Sequence, residues 1–180
     1  MPQTPDLSRS SKVSPTSLPE VGEQCRLLAE LLRPQMEKDF LLVGIHSGGA
    51  WIAERLAQLL AMPKGSVGSL DISFYRDDYA EKGLHTQVKP SAIGFEITGR
   101  HVILVDDVLY TGRTTRAALN ETFDYGRPAS VELAVLADRG GRELPITANY
   151  CVWQVSLPPE AQLVLACEGN EALRWKLKNA

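Results

Sequence analysis

The sequence predicts an α/β fold with a mainly parallel sheet, and three observations carry that expectation. Strand-length apolar runs at Phe40–Ile45, His101–Asp106 and Val131–Ala137 alternate with helical patterns. The runs are too continuous for half-exposed strands, which marks a sheet covered on both faces. Each run leads into small or charged residues, Gly48-Gly49, Asp106-Asp107 and Asp138-Arg139, and ligands of open α/β sheets bind beyond such carboxyl ends. The three ends are expected side by side at one sheet edge.

The elements follow in chain order. Met1 to Ser17 holds five serines, three prolines and almost no apolar residues, so it is expected to be a disordered tail before a single domain over 18–180. Ser17-Leu18-Pro19-Glu20 reads as a helix start, with Ser17 as cap, Glu20 closing a capping box and Pro19 in the first turn. Val21, Cys25, Leu28 and Leu32 share one helical face, and the helix should stop before Pro34. After the first strand come a glycine loop, His46-Ser47-Gly48-Gly49, and a helix with Ile52, Leu56 and Leu59 on one face. Alternating Leu70, Ile72 and Phe74 suggest a second strand ending at Tyr75-Arg76-Asp77-Asp78. Residues 76–99 are polar and aperiodic, the pattern of a long loop or a small hairpin. The third strand runs through Tyr110-Thr111-Gly112-Arg113-Thr114 into a helix with Ala117, Ala118 and Leu119. A charged loop, Asp138 to Glu143, follows the fourth strand, and β-rich pieces at Tyr150–Trp153, Leu163–Cys167 and Leu173–Leu177 close the chain.

Composition excludes several classes. The 180 residues, 44% of them hydrophobic, suffice for one packed core. The longest apolar run, Phe40–Ile45, is far short of a membrane span, and the first twenty residues lack the apolar centre of a signal peptide, so the cytoplasm is expected. A net charge of −3 disfavours nucleic-acid binding through bulk charge. Cys25, Cys151 and Cys167, odd in number and set among apolar neighbours, read as buried thiols. His46, His85 and His101 show no ligand or triad spacing, and Trp51, Trp153 and Trp175 read as core or subunit-interface residues.

The chemistry is concentrated in Val102 to Thr114. Thr111 to Thr114 forms a turn into a helix, so backbone N–H groups and the positive end of the helix dipole converge on one spot that suits a phosphate. Gly112 permits close approach, Thr111 and Thr114 add hydroxyls, and Arg113 adds charge if it turns inward. Asp106 and Asp107 repel a phosphate and must face something neutral or cationic; vicinal ribose hydroxyls with a metal ion nearby fit. The plainer alternative makes the two aspartates a solvated strand end and the turn a tight connection. The spacing of a Walker-type phosphate loop is absent.

Val-Asp-Asp-Val-Leu-Tyr-Thr-Gly-Arg-Thr (105–114) resembles the phosphoribosyl-pyrophosphate motif of type I phosphoribosyltransferases, in the form found in the PyrR family of pyrimidine operon regulators and uracil phosphoribosyltransferases. Purine-salvage relatives typically carry Asp where this chain has Tyr110. The resemblance extends over Leu42–Ile45, Asp71–Asp78, Gly126-Arg127-Pro128 and Leu133–Pro145. It implies a type I phosphoribosyltransferase fold, a twisted parallel sheet flanked by helices with a small hood and a mobile active-site loop. It also implies conversion of uracil and 5-phosphoribosyl 1-pyrophosphate (PRPP) to uridine monophosphate (UMP) and pyrophosphate with Mg²⁺. On that likeness Asp106 and Asp107 hold the ribose hydroxyls and, indirectly, the metal, while Val108, Leu109, Tyr110, Thr111, Gly112, Arg113 and Thr114 form the phosphate segment. Ser47 and Gly48 lie in the pyrophosphate loop, where the family commonly shows Thr-Arg-Gly and this chain lacks the cation. Arg76 reaches the pyrophosphate from the lid, and backbone near Asp138 and Arg139 reads the uracil edge. The family further implies homodimers or homotetramers, and a second function in binding leader RNA. The acidic first helix disfavours RNA, with Arg127, Arg139 and Arg142 left as a small basic patch beside the hood.

Overall fold

The computed structural model describes residues 17–72, 91–169 and 172–179. The expected tail before Ser17, Phe74 with the Tyr75–Asp78 segment and its Arg76, and His85 lie outside the described residues.

Five strands form one parallel sheet: β1 (Phe40–Ile45), β2 (Val67–Leu70), β3 (His101–Leu109), β4 (Ser130–Asp138) and β5 (Tyr150–Gln154). Their order is β2-β1-β3-β4-β5. A side-chain period of two divides each apolar run between the faces. Leu42, Ile103, Val105, Ala134 and Leu136 face one side, where they pack with Val21, Cys25, Leu28 and Leu32 of α1 (Val21–Leu32) and with Ile52 and Leu56 of α2 (Gly48–Leu59). Leu41, Val43, Val102, Leu104, Leu133 and Val135 face the other side, covered by Ala117 and Ala118 of α3 (Arg113–Tyr125) and by Ile97. The continuous runs therefore reflect two cores sharing one sheet. An antiparallel pair, β6 (Ala161–Glu168) and β7 (Ala172–Asn179), adds Leu163, Leu165 and Trp175 to the α1 side. No helix of the described residues is long and apolar enough to cross a membrane.

Local chemistry revises several boundaries. Glu20, and not Ser17, caps α1: its carboxylate accepts from the N–H groups of Gly22 (2.9 Å) and Glu23 (2.6 Å). Those donors hold the Glu20 carboxyl below its ordinary range. Pro19 accordingly precedes the cap and stands outside the first turn. α1 ends at Leu32 as expected, and Pro34 starts a short 3-10 turn, Arg33–Lys38. The second strand stops at Leu70, with Ile72 buried beyond it. Cys25 is buried and desolvation pushes its thiol up to about 11, whereas Cys167 is exposed, against expectation: it shares the core-facing side of β6 with Leu163 and Leu165 but lies near the end of the strand, next to its last residue.

Candidate nucleotide site at the strand edge

Strand order reverses direction between β1 and β3: the chain passes from β1 outward to β2, then from β3 outward through β4 to β5. Such a switch point leaves a crevice at the strand carboxyl ends, because the connections on its two sides leave in opposite directions. The β1–α2 and β3–α3 connections both open there, and the β4–β5 loop lies beside them.

β3 does not end at the aspartates. Its pairing with β4 continues through Asp106↔Val135 and Val108↔Ala137 to Leu109↔Asp138. Asp106 is buried, at 5% exposure, and its Oδ1 accepts the N–H of Asp107 at 2.9 Å. Oδ1 of half-buried Asp107 accepts the N–H of Val108, also at 2.9 Å. The short polar side chains thus bond to neighbouring backbone inside a strand; as consecutive strand residues they point to opposite faces, Asp106 buried and Asp107 half-buried toward the β1–α2 connection. Gly48 stands against this pair: a Cβ there would lie 2.5 Å from Asp107 Oδ2. The structure therefore joins Gly48 to Asp107, as the sequence led one to expect of the loop and the strand end. Ser47 precedes Gly48 without capping α2 through its side chain, and the His46–Ser47 peptide is cis.

The turn into α3 is set by Gly112, at φ 91° and ψ −4°, a left-handed conformation that favours glycine. Gly112, the N-cap residue, has no side chain with which to close this helix start, so its N-terminal turn keeps the anion-attracting character expected of such an end. Thr111 Oγ1 accepts from Arg113 N at 3.3 Å, and Thr114 follows in the first helical turn. The Arg113 side chain turns to Glu143, Nε to Oε2 2.6 Å, so a neighbouring carboxylate offsets its charge.

The loop after β4 grips this turn. Arg139 donates its N–H to Leu109 O at 3.0 Å, and Thr111 O accepts from Glu143 N (3.0 Å) and Leu144 N (3.2 Å). The Arg139 guanidinium lies 4.0 Å from the centroid of the Tyr110 ring. Gly141, at φ 68°, lets the loop pass so close that a Cβ would sit 2.3 Å from Tyr110 Cε2. Asp138 spends its carboxylate within the loop, Oδ1 on Gly140 N (2.9 Å) and Oδ2 on Arg142 (2.5 Å). Sequence reasoning placed Arg142 only in a basic patch and missed this role, since a contact between residues far apart in sequence identifies it.

The expected basic patch does not form. Arg127 lies before β4, where it donates to Phe123 O at 2.6 Å, while Arg139 and Arg142 follow β4. Nine strand residues separate the two ends, a distance of about 30 Å. A recess of about 880 Å³ touches the strand edge at His46, but it runs away from the aspartates between Glu20, Trp51, Arg55 and Trp175.

Among the described residues no group of three or more His, Cys, Asp or Glu side chains is placed to hold a metal ion. The adjacent carboxylates of Asp106 and Asp107 fit a different arrangement. Mg²⁺ is commonly held by one or two carboxylates, with substrate oxygens and water completing the shell.

A crevice at a switch point, with Asp106 and Asp107 on the strand at its edge and a glycine-led helix start beside it, is where open α/β sheets bind their ligands. Residues 17–160 match the family model of the phosphoribosyl transferase domain. The solved hypoxanthine-guanine phosphoribosyltransferase of Bacillus anthracis shares the fold at a TM-score of 0.59, with 21% identity, over 83% of this chain and 88% of that one. A purine phosphoribosyltransferase from Pyrococcus horikoshii gives 0.55 with 25% identity, over 77% and 87%. Curated relatives are more similar. The "Bifunctional protein PyrR" of Nitrosococcus oceani is 52% identical over 138 residues, 76% of this chain and 77% of its own. That of Pseudomonas savastanoi pv. phaseolicola is 47% identical over 167 residues, covering 91% and 96%. The chain belongs to the phosphoribosyltransferases and, within them, to the PyrR family.

Proposed function

We propose that the chain transfers the phosphoribosyl group of PRPP to uracil, giving UMP and pyrophosphate. The observation that carries this reading is the pairing of Asp106 and Asp107 with the glycine-led turn at Thr111–Thr114. The curated relatives named bifunctional PyrR support the pyrimidine, and so does Tyr110, which stands where purine-salvage enzymes place a carboxylate.

In this reaction the bond from C1 of the ribose to the pyrophosphate oxygen breaks, N1 of uracil forms the new bond, and the N1 proton is lost. Positive charge builds on the ribose ring, so fixed negative groups beneath it lower the barrier more than a strong nucleophile would. Asp106 and Asp107 accept hydrogen bonds from the ribose hydroxyls and face that charge. Thr111, Gly112, Arg113 and Thr114 hold the 5-phosphate, with Val108, Leu109 and Tyr110 leading into the turn, so the sugar is oriented before reaction. Asp106 and Asp107 would hold Mg²⁺ by way of ribose hydroxyls or water, and the ion when bound would supply charge neutralisation for the leaving pyrophosphate. Ser47 and Gly48 line the pyrophosphate side, where backbone N–H groups replace the missing cation; the family resemblance assigns Arg76, outside the described residues, to the same group. Backbone beside Asp138 and Arg139 meets the uracil edge; the Asp138 carboxylate and the Arg139 N–H are already engaged within the protein. The setting is the cytoplasm and the assembly a homodimer or homotetramer.

The experiment is an assay with PRPP, Mg²⁺ and each of uracil, hypoxanthine and orotate. Product from uracil is expected, and product from hypoxanthine alone overturns the reading. In the same assay Asp106→Asn with Asp107→Asn should abolish turnover without altering the circular dichroism spectrum; unchanged kinetics would refute the ribose assignment.

A second reading, a UMP-sensing regulator that binds leader RNA, is favoured by the word "bifunctional" in the relatives' name. The separation of Arg127 from Arg139 and Arg142 weighs against it. Filter binding of the upstream leader, with and without UMP, tests it, and no retention below micromolar protein at moderate salt counts against it.

A further inference from the structure

Arg142 lies outside every segment that the phosphate motif marks, yet its side chain, 23% exposed, touches both loops of the crevice. Nε donates to Ile146 O at 2.8 Å, one terminal nitrogen donates to Tyr110 O at 2.8 Å and Gly140 O at 3.2 Å, and the other reaches Asp138 Oδ2 at 2.5 Å. Tyr110 belongs to the phosphate turn. Asp138, Gly140 and Ile146 belong to the loop after β4. A guanidinium presents its donors in a rigid planar fork, so these contacts fix directions as well as distances. A lysine ammonium at the same place reproduces only some of them.

We propose that Arg142 is a positioning residue that sets the spacing between the phosphate turn and the base-side loop. This rests on the proposed function, in which the first loop takes the 5-phosphate and the second the base. Arg142 then matters most to a ligand that spans both loops, a nucleoside 5′-monophosphate, and little to one that uses the turn alone. The loops remain tied without it through Thr111 O with Glu143 N and Leu144 N, so its removal shifts their spacing and leaves the fold in place. Shifts of this kind, about 1 Å, are enough to cost roughly a hundredfold in an oriented reaction.

The test is calorimetric titration of the full chain with UMP and with ribose 5-phosphate. In Arg142→Ala, UMP affinity should fall about tenfold or more while ribose 5-phosphate affinity changes less than about threefold, since charged hydrogen bonds of this kind are worth one to two decades. Arg142→Lys should fall between, and millimolar methylguanidinium should restore UMP binding to Arg142→Ala. Equal losses for both ligands, or no loss for either, overturn the proposal. If Arg142→Ala does not fold, Asp138→Asn takes its place: it loosens the guanidinium without removing it and should show the same UMP-selective loss to a smaller degree, with the same contrary results decisive. A wild-type protein that binds another nucleoside monophosphate instead of UMP overturns the uracil reading alone, and the split is then read with that nucleotide. Binding of no nucleoside monophosphate overturns both.

Discussion

Two strand-to-helix connections open on the same crevice, and each is built on glycine for a different reason. At the β1–α2 connection the missing side chain makes room: a Cβ on Gly44 would lie 2.4 Å from Ala50 Cα, and one on Gly49 only 2.0 Å from the Val105 carbonyl oxygen. At the β3–α3 connection space is tighter than usual but no backbone blocks it, since a Cβ on Gly112 would meet only side-chain atoms, Ile146 at 3.3 Å and Leu144 at 3.4 Å; there the positive φ is the main requirement. The first connection is closed by backbone packing, and the second holds its backbone in a left-handed shape at a helix start whose N-cap residue has no side chain. Glycine content alone thus does not identify a binding loop; the neighbours that each glycine meets do.

Gly49→Ala should give the largest effect, because the rigid backbone of β3 at Val105 and Asp106 leaves the new methyl nowhere to go. Overpacking of this kind costs about 3 kcal/mol, or a fall in Tm of roughly 6–12 °C for a chain of this size, read by thermal melting. A variant that melts with the wild type would erase the contrast between the connections. Gly112→Ala should cost less, about 1–2 kcal/mol for an alanine held at positive φ, but it should weaken ribose 5-phosphate binding as well. If binding is retained, the turn is not the phosphate seat. Thr111→Val removes a hydroxyl from that turn and should lower ribose 5-phosphate affinity about tenfold with little change in Tm. At the outer rim, Glu143→Gln breaks a half-exposed ion pair with Arg113 and should shift stability by no more than about 0.5 kcal/mol. A larger loss in denaturant titration would mean that the rim pair helps to hold the turn.

The sheet was largely legible because burial on both faces writes itself into contiguous sequence, as in Phe40–Ile45 and Val102–Val105. The turn into α3 was legible for a similar reason, since Tyr110 to Thr114 keeps its determinants within five residues. Ends were harder to read. Asp106 and Asp107 looked like a strand terminus because carboxylates usually seek water, whereas here they bond to adjacent backbone and β3 runs on to Leu109. Glu20 displaced Ser17 as the cap because its longer side chain folds back onto two N–H groups at once. Arg142 was legible as a charge beside the hood, but its role between the loops carried no local sign. Its partner Tyr110 is 32 positions away, and nothing in the charged string Asp138 to Glu143 distinguishes an arginine that faces solvent from one that clamps two loops.

The small β6–β7 sheet reaches back to α1, where Trp175 Nε1 donates to Gln24 Oε1 at 2.5 Å across 151 positions of chain. On the way its indole meets that of Trp153 on β5, with ring centroids 5.9 Å apart and planes inclined at 57°. Two inclined indoles at that separation couple their electronic transitions, and the coupling disappears when either ring departs. The chain therefore carries a native optical gauge of whether its C-terminal hairpin is seated on the main sheet. That gauge is read in the near-ultraviolet dichroism without any label.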